Sequence, residues 1–585
     1  MFEKEKKELK LKIREYLREV GVEEPQLEFR QIPFSGEWGL AVPMFPIAAA
    51  EARSGKKVIV PKRAQELAEG VREYLGDLPG FSHIDSVNGY LNLYFLTSEY
   101  AKRVVDTILN QREAYGKADP QGKRVMVEYS QPNTHKSFHV GHLRNVILGG
   151  SVCRILEFAG YDVIRANYLG DIGLHVVKWM WNYLKNHRGE EPEEDKTHWM
   201  NQIYAEADRL YQDRENEAEV RELYARWNAR DPEVVALWKK TRQWSLEGFE
   251  QIYNQLGEEF DRIYFESEVE DPGVKLVEEM VKSGLAEDLR PEEPVIINLD
   301  AHVGTEDEYR VLVLLRSDGS SLYATKDLPL AIKKFEDYDL DRSVYVIDVR
   351  QSLYLRQIFK TLEILGYEWA DKLYHLAYEL VNLPGNVTMS SREGTVVLFD
   401  YLMEEATSRA REIVEQKNPE LSDVVMDSIA EAVALGALKY SMLSRDNTKV
   451  VTFDWDEALD FNGQAAPYIQ YAHVRAGSIL RKAGDVIPKE SGTFPNELAK
   501  AEIDLIECLT RLPQDVVKAA EEYRPLTIAN LAFDLAKAFN DFYNTCQVLN
   551  AEPGIRDYRL RLVAASKQVI ATSLDLLGIK SPNMM

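Results

Sequence analysis

Residues 124–186 constrain the fold more tightly than any other stretch of the chain. RVMVEYS (124–130) is a short β-branched apolar run of the kind buried in a sheet, and Gln131-Pro132-Asn133 breaks it. Leu148, Val152, Ile155, Leu156 and Ala159 then recur at threes and fours, which predicts a helix from near Gly141 to the terminating Gly160. A second strand, DVIRANYL (162–169), follows at once, then a tight GDIG turn and another helix. Strand, helix, strand, helix in that order predicts an α/β fold, a doubly wound parallel sheet with a ligand site at its strand ends.

The remainder must be organised around that unit, because 585 residues exceed one ordinary domain of about 150. Residues 1–118 alternate helical patterns with short strands such as YLNLYFL (90–96), predicting a small α+β module that ends at the Gly/Pro-marked joint between Gly116 and Gly122. A doubly wound domain over 119–400 follows. Within it, about 188–293 is charge-dense and helical, opened by RGEEPEEDK and closed by LRPEEP, and reads as an insertion. VIINL (295–299), YRVLVLL (309–315) and SVYVID (343–348) are expected to supply the second half of the sheet. Residues 401–585 read as almost wholly helical.

Charge and cysteine content exclude some classes of function. The net charge of −25 argues against indiscriminate polyanion binding, although a local basic face can still hold a nucleic acid. Cys153, Cys508 and Cys546 are widely spaced and odd in number, so neither a disulfide framework nor a zinc site is expected. No apolar run reaches the length of a membrane span, and MFEKEKKELKLKIREYL mixes both charge signs. A cytoplasmic protein without a leader is the expectation.

The strongest local motif is QPNTHKSFHVGHLRN (131–145), with His139-Val140-Gly141-His142 between first strand and helix. Gly141 admits close approach of a ligand to the backbone, and the helix start offers unpaired N–H groups to a phosphate. Two imidazoles beside it can donate to phosphate oxygens as charge builds. Two histidines at i and i+3 are equally compatible with an ordinary helix surface, so the motif needs its context.

In that context the chain resembles the class I aminoacyl-tRNA synthetases, and VEYSQPNTHKSFHVGHLRN, NYLGDIG (167–173), LYATKDL (322–328) and MSSREGTVV (389–397) together resemble an arginyl-tRNA synthetase over nearly the whole length. The resemblance implies a Rossmann-type catalytic domain, an N-terminal module that touches tRNA, and an all-α anticodon-binding bundle over about 461–585. It implies ATP-dependent formation of arginyl-adenylate and transfer of arginine to tRNA(Arg), in a cytoplasmic enzyme whose usual form is a monomer. Magnesium would enter with ATP, and no protein metal site is expected.

The resemblance also assigns residues. His139 and His142, with Ser390 and Arg392 of the second signature loop, would surround the phosphates, and Gly141 and Met389 would bind ATP. Gly170 and Asp171 would lie near the nucleoside. Thr388 and Ser391 stand where the general second signature has lysines, and Lys136 would replace the missing cation. Ile172 and His175 replace the family's more usual tryptophan and glutamine. Arginine would be held by Glu128, Asn133, Tyr323, Asp327 and Gln351. Asp327 and Glu128 would face the guanidinium, since carboxylates match its planar donors. In PYIQYAHVRAGSILRK (467–482), Tyr468, Tyr471, His473 and Arg475 suit stacking and phosphate contact with an unpaired anticodon loop, or a plain packing stripe. Two other readings carry the His-x-Gly-His loop: a nucleotidyltransferase with a small-molecule acceptor, which the long helical C-terminal part disfavours, and a synthetase-like protein that only binds RNA.

Overall fold

The computed structural model describes residues 3–585 except 23–24, 33–35, 193–195, 384–386, 389–397, 486, 489–494 and 496. Its centre is a five-stranded parallel sheet: β1 (Arg124–Glu128), β2 (Asp162–Leu169), β3 (Arg262–Phe265), β4 (Arg342–Asp348) and β5 (Leu373–Tyr378). The strands lie in the order β5-β4-β1-β2-β3, so the winding reverses between β1 and β4. That reversal opens a crevice at the carboxyl ends of both strands. Val125, Met126 and Val127 of β1 are all buried, as a strand covered on both faces requires.

The helix after β1 runs Val140–Phe158 and ends before Gly160, whose φ of +87° suits the turn. Its burial goes beyond a single stripe, with nearly every residue from Leu143 to Leu156 enclosed, because the sheet lies on one side and C-terminal helices on the other. Gly149 and Gly150 make this possible: a Cβ there would come within 2.3 Å of the Tyr129 ring and 2.2 Å of the Glu258 carboxylate.

Two sequence expectations need correction. The stretch 188–293 is not one insertion, since it contains β3, an edge strand of the main sheet. RIYF is only four residues long amid helical sequence, too short to establish a period of its own. Strands Val295–Asn298 and Val311–Leu315 do not continue the main sheet but pair antiparallel in a separate three-stranded sheet with Glu287–Asp288. An apolar run identifies a strand without naming its neighbour. Only β4 and β5 complete the second half.

Between β2 and β3 stand helices Leu174–Asn186, Lys196–Leu210, Arg214–Asn228 and Pro232–Leu256, closed on a core rich in tryptophan: Trp179, Trp181, Trp227, Trp238 and Trp244. The N-terminal module is a four-stranded antiparallel sheet backed by helices. It has its own core around Ile13, Leu17, Leu67, Val71, Leu91 and Leu93. Beyond residue 398 the described residues form six long helices, from Phe399–Lys417 to Pro553–Leu576, sharing one apolar core with the Val140–Phe158 helix.

Candidate active site

The segment leaving β1 is held in an unfavourable backbone shape. Ser130, Gln131 and His135 have φ of +78°, +51° and +61°, where side chains other than glycine are strained. Side chains from neighbouring elements enforce this course. Asn145 Oδ1 accepts from Ser130 N at 2.6 Å, and Asn167 Oδ1 accepts from Gln131 N at 3.0 Å. Thr134 N donates to Gly170 O at 2.9 Å, beside an Asn133–Gly170 bridge, so the loops after β1 and β2 form one wall.

His139 is the N-cap of the helix, and its Nδ1 accepts from Gly141 N at 3.1 Å. His142 Nδ1 accepts in turn from His139 N at 3.3 Å, and the two rings stack with centroids 3.9 Å apart. Burial pushes His139 down to about 4 and His142 well below the usual imidazole range, so both rings are neutral at pH 7. With each Nδ1 accepting, the one ring proton sits on Nε2, leaving two N–H donors and no net charge. Positive charge must come from elsewhere. Lys136 has no carboxylate within ion-pair distance among the described residues and rests 5.6 Å from the centroid of the Tyr204 ring.

The second signature loop begins and ends on described residues. Val387–Thr388 pairs antiparallel with Val381–Leu383. Leu398 forms an antiparallel bridge with His139, and Phe399 N donates to Phe138 O at 3.1 Å. The two signatures, some 250 residues apart in sequence, therefore adjoin at His139. Met389, Ser390 and Arg392 themselves lie outside the described residues.

Beside this loop, at the crevice between β1 and β4, lies a cavity of about 410 Å³. Glu128, Asn133, Tyr323, Asp327 and Gln351 all line it, joined by Gln131, Tyr168, Gly170, Glu266, Tyr345 and Tyr354. Its charges can be counted. Glu128, buried at the end of β1, is paired with the fully buried Lys334 and accepts from Gln131 Nε2 at 2.7 Å. Glu266 is paired with Lys326 at 2.5 Å. Asp327 has only the neutral Tyr354 hydroxyl, which donates to its Oδ2 at 2.5 Å. Of three carboxylates in the wall, one is left without a cation among the described residues, and it is Asp327. Burial, followed by the neighbouring Glu128 and Glu266 charges, raises Asp327 to about 7 against the pull of the Tyr354 hydrogen bond.

The chain is similar to known proteins over nearly its whole length. The catalytic domain described as tRNA synthetases class I (R) matches residues 104–455, and the DALR anticodon-binding domain matches 469–585. An arginine–tRNA ligase of Clostridium perfringens is 34% identical over 94% of both chains, and one of Treponema pallidum is 35% identical over 95% of both. The solved arginyl-tRNA synthetase of Thermus thermophilus superposes with a TM-score of 0.75 at 28% identity, covering 99% of this chain and 100% of its own. The chain belongs to the class I arginyl-tRNA synthetase family.

Some residues sit differently from the sequence expectation. Asp171 is fully buried: its Oδ1 accepts from Ser267 N at 2.9 Å, and its Oδ2 accepts from Ser267 Oγ at 2.7 Å and Arg242 at 2.8 Å. Its carboxylate ties the turn after β2 to helix Pro232–Leu256 and to the segment after β3 and does not line the cavity, whereas Gly170 does. Glu128, expected to face the guanidinium, is already neutralised by Lys334. Tyr323 is 64% exposed at the mouth of the cavity, one helical turn from Asp327.

The C-terminal candidates separate into two groups. His473 is buried, its Nδ1 lies 2.9 Å from Pro582 O, and burial lowers it to about 4. Its ring is held by the main chain and is largely enclosed, unlike what stacking on an unpaired base needs. Tyr468 is half-buried against Phe533. Tyr471 and Arg475 are half-buried as well: the guanidinium donates to Asn540 Oδ1 at 2.7 Å and lies 4.8 Å from the Tyr471 ring and 4.7 Å from that of Tyr543, which is 42% exposed. Tyr354, Lys334, Glu266 and Tyr543 were absent from the sequence reading. Tyr543 stands in FNDFYNTCQVL (539–549), and Tyr354 follows Gln351 by one turn, a spacing that could have found it. Among the described residues no cluster of His, Cys, Asp or Glu could hold a metal ion, and no helix is long and apolar enough to cross a membrane.

Proposed function

We propose that the chain activates L-arginine with ATP and its accompanying magnesium, then transfers it to the 3′ end of tRNA(Arg), releasing AMP and pyrophosphate. In the first step an oxygen of the arginine carboxylate attacks the α-phosphorus, and the bond to the β-phosphate breaks. No protein nucleophile is needed, so positioning and charge stabilisation supply the rate. The Nε2–H groups of His139 and His142 donate to phosphate oxygens, and Lys136 supplies the cation that Thr388 and Ser391 cannot, with Ser390 and Arg392 as further phosphate ligands. In the second step a terminal ribose hydroxyl attacks the adenylate carbonyl and AMP departs.

The choice of amino acid rests on Asp327, the one carboxylate of the wall without a cation among the described residues, where the other two carry their own lysines. One cationic side chain completes the count. Asn133 and Gln351 hold the substrate's polar groups, and Tyr323 lines its aliphatic stem. A buried acceptor without its donor penalises an ill-matched side chain by several powers of ten, so no separate editing domain is required. Tyr471, Arg475 and Tyr543 form the stacking edge for the anticodon, and the 1–118 module meets the outer corner of the tRNA. The working division is 1–118, 119–400 and 401–585, in a cytoplasmic monomer.

Pyrophosphate exchange and aminoacylation, each with arginine or lysine and with or without tRNA, test this reading. Arginine should support aminoacylation and lysine should not, and arginine activation is expected to depend on tRNA. Exchange without tRNA charging, or tRNA binding without either reaction, would remove it.

A further inference from the structure

Three consecutive residues of the first signature loop are each gripped by the helical insertion. His135 N donates to Ser245 Oγ at 2.9 Å, and its Nε2 lies 2.8 Å from Thr241 Oγ1. Ser137 Oγ is bonded to Asn201. Between them, Lys136 has its ammonium over Tyr204, 5.6 Å from the ring centroid, with no carboxylate in ion-pair range among the described residues. Asn201 and Tyr204 are one turn apart on helix Lys196–Leu210, so a single helix face meets residues 136 and 137. The resting position of the lysine is thus set from outside the doubly wound sheet.

We infer that Tyr204 is a positioning residue for Lys136: its ring face holds the ammonium beside the two stacked histidines, where an aliphatic side chain would let it wander. A cation over an aromatic ring is attracted without being neutralised. A carboxylate in the same place would pair with the lysine and oppose the triphosphate. Burial lowers the lysine's proton affinity, Lys178 adds to this, and Asp208 opposes it. This arrangement keeps a desolvated cation available to an incoming anion. The inference rests on the proposal above that Lys136 acts on the phosphates.

A double-mutant cycle tests it. Tyr204→Leu should lower kcat for arginine activation about three- to tenfold, leave KM for arginine unchanged, and have no further effect once Lys136→Ala is present. Tyr204→Phe, which keeps the ring, should restore wild-type rates. Asn201→Ala, which frees Ser137, should give a smaller loss with the same dependence on Lys136 and covers the case in which Tyr204→Leu unfolds the insertion. If Lys136→Ala is disabled while Tyr204→Leu and Asn201→Ala are normal, or if their losses persist undiminished in the Lys136→Ala background, Tyr204 does not position the lysine. Normal activity of Lys136→Ala itself would instead fail the proposed role of that residue.

Discussion

At the carboxyl ends of β1 and β4 polar side chains converge on one cavity, whereas along helix Ala466–Lys482 they point in several directions. Glu128, Asn133, Tyr323, Asp327 and Gln351 share a single wall. On the helix, His473 turns inward to the Pro582 carbonyl, Tyr468 packs on Phe533, and Arg475 lies over the Tyr471 ring and donates to Asn540. The difference follows from desolvation. A carboxylate enclosed without a cation is costly, so an acidic cavity exposes its missing partner through its charge balance. A tyrosine or neutral histidine is stable in a core, so its identity says nothing about a ligand.

The largest effect should come from the residue on which that contrast rests. Asp327→Ala is expected to lower kcat/KM for arginine about a thousandfold, the cost of truncating one partner of a buried charged pair, with KM for ATP little changed. Steady-state kinetics with varied arginine would decide it, and unaltered values would move specificity elsewhere. Lys334→Met leaves Glu128 buried without its cation and should destabilise the fold by about 3 kcal/mol or more in urea denaturation. Glu128→Gln combined with Lys334→Met should recover most of that loss. If the double variant keeps its KM for arginine, Glu128 acts through the architecture of the wall.

Lys136→Ala should slow activation about a hundredfold, the scale of one transition-state donor. Titration gives a more graded test. Asp327 must be ionised to hold a guanidinium, and its carboxyl is raised to about 7. Arginine kcat/KM should therefore be flat above that pH and fall about tenfold per unit below it. Asp327→Asn should remove the dependence, while the neutral His139 and His142 contribute no such step near pH 7. The smallest effects belong to the C-terminal helix. Arg475→Ala should weaken tRNA affinity by about 1 kcal/mol, with a small drop in melting temperature from the lost bond to Asn540. His473→Ala should cost about 1 kcal/mol of stability and leave tRNA affinity alone.

Much of the catalytic domain was legible along the chain, and the reasons are specific. β1, its break at Gln131-Pro132-Asn133 and the helix from Val140 follow from local periodicity. Tyr323 and Asp327 share a helix face by spacing alone. By contrast, Lys334 lies 206 residues from Glu128, so nothing local shows that this carboxylate is already matched. Asp171 carries a recognisable motif, yet its partners Arg242 and Ser267 come from elements whose approach depends on β3, the strand too short to predict. In the C-terminal helix the same letters serve core and surface, and the packing of Phe533 and the 582 carbonyl chose between them.

Residue order along the backbone was enough for the alternation of strand and helix and for the helix start after β1, because each depends on neighbours within a turn or two. Which carboxylate stays uncompensated, which histidine faces a main-chain carbonyl, and which ring supports Lys136 depend on side chains brought together from distant segments. Pairing and desolvation act through space, and their outcome is set once the sheet, the insertion and the helical bundle have closed around one another.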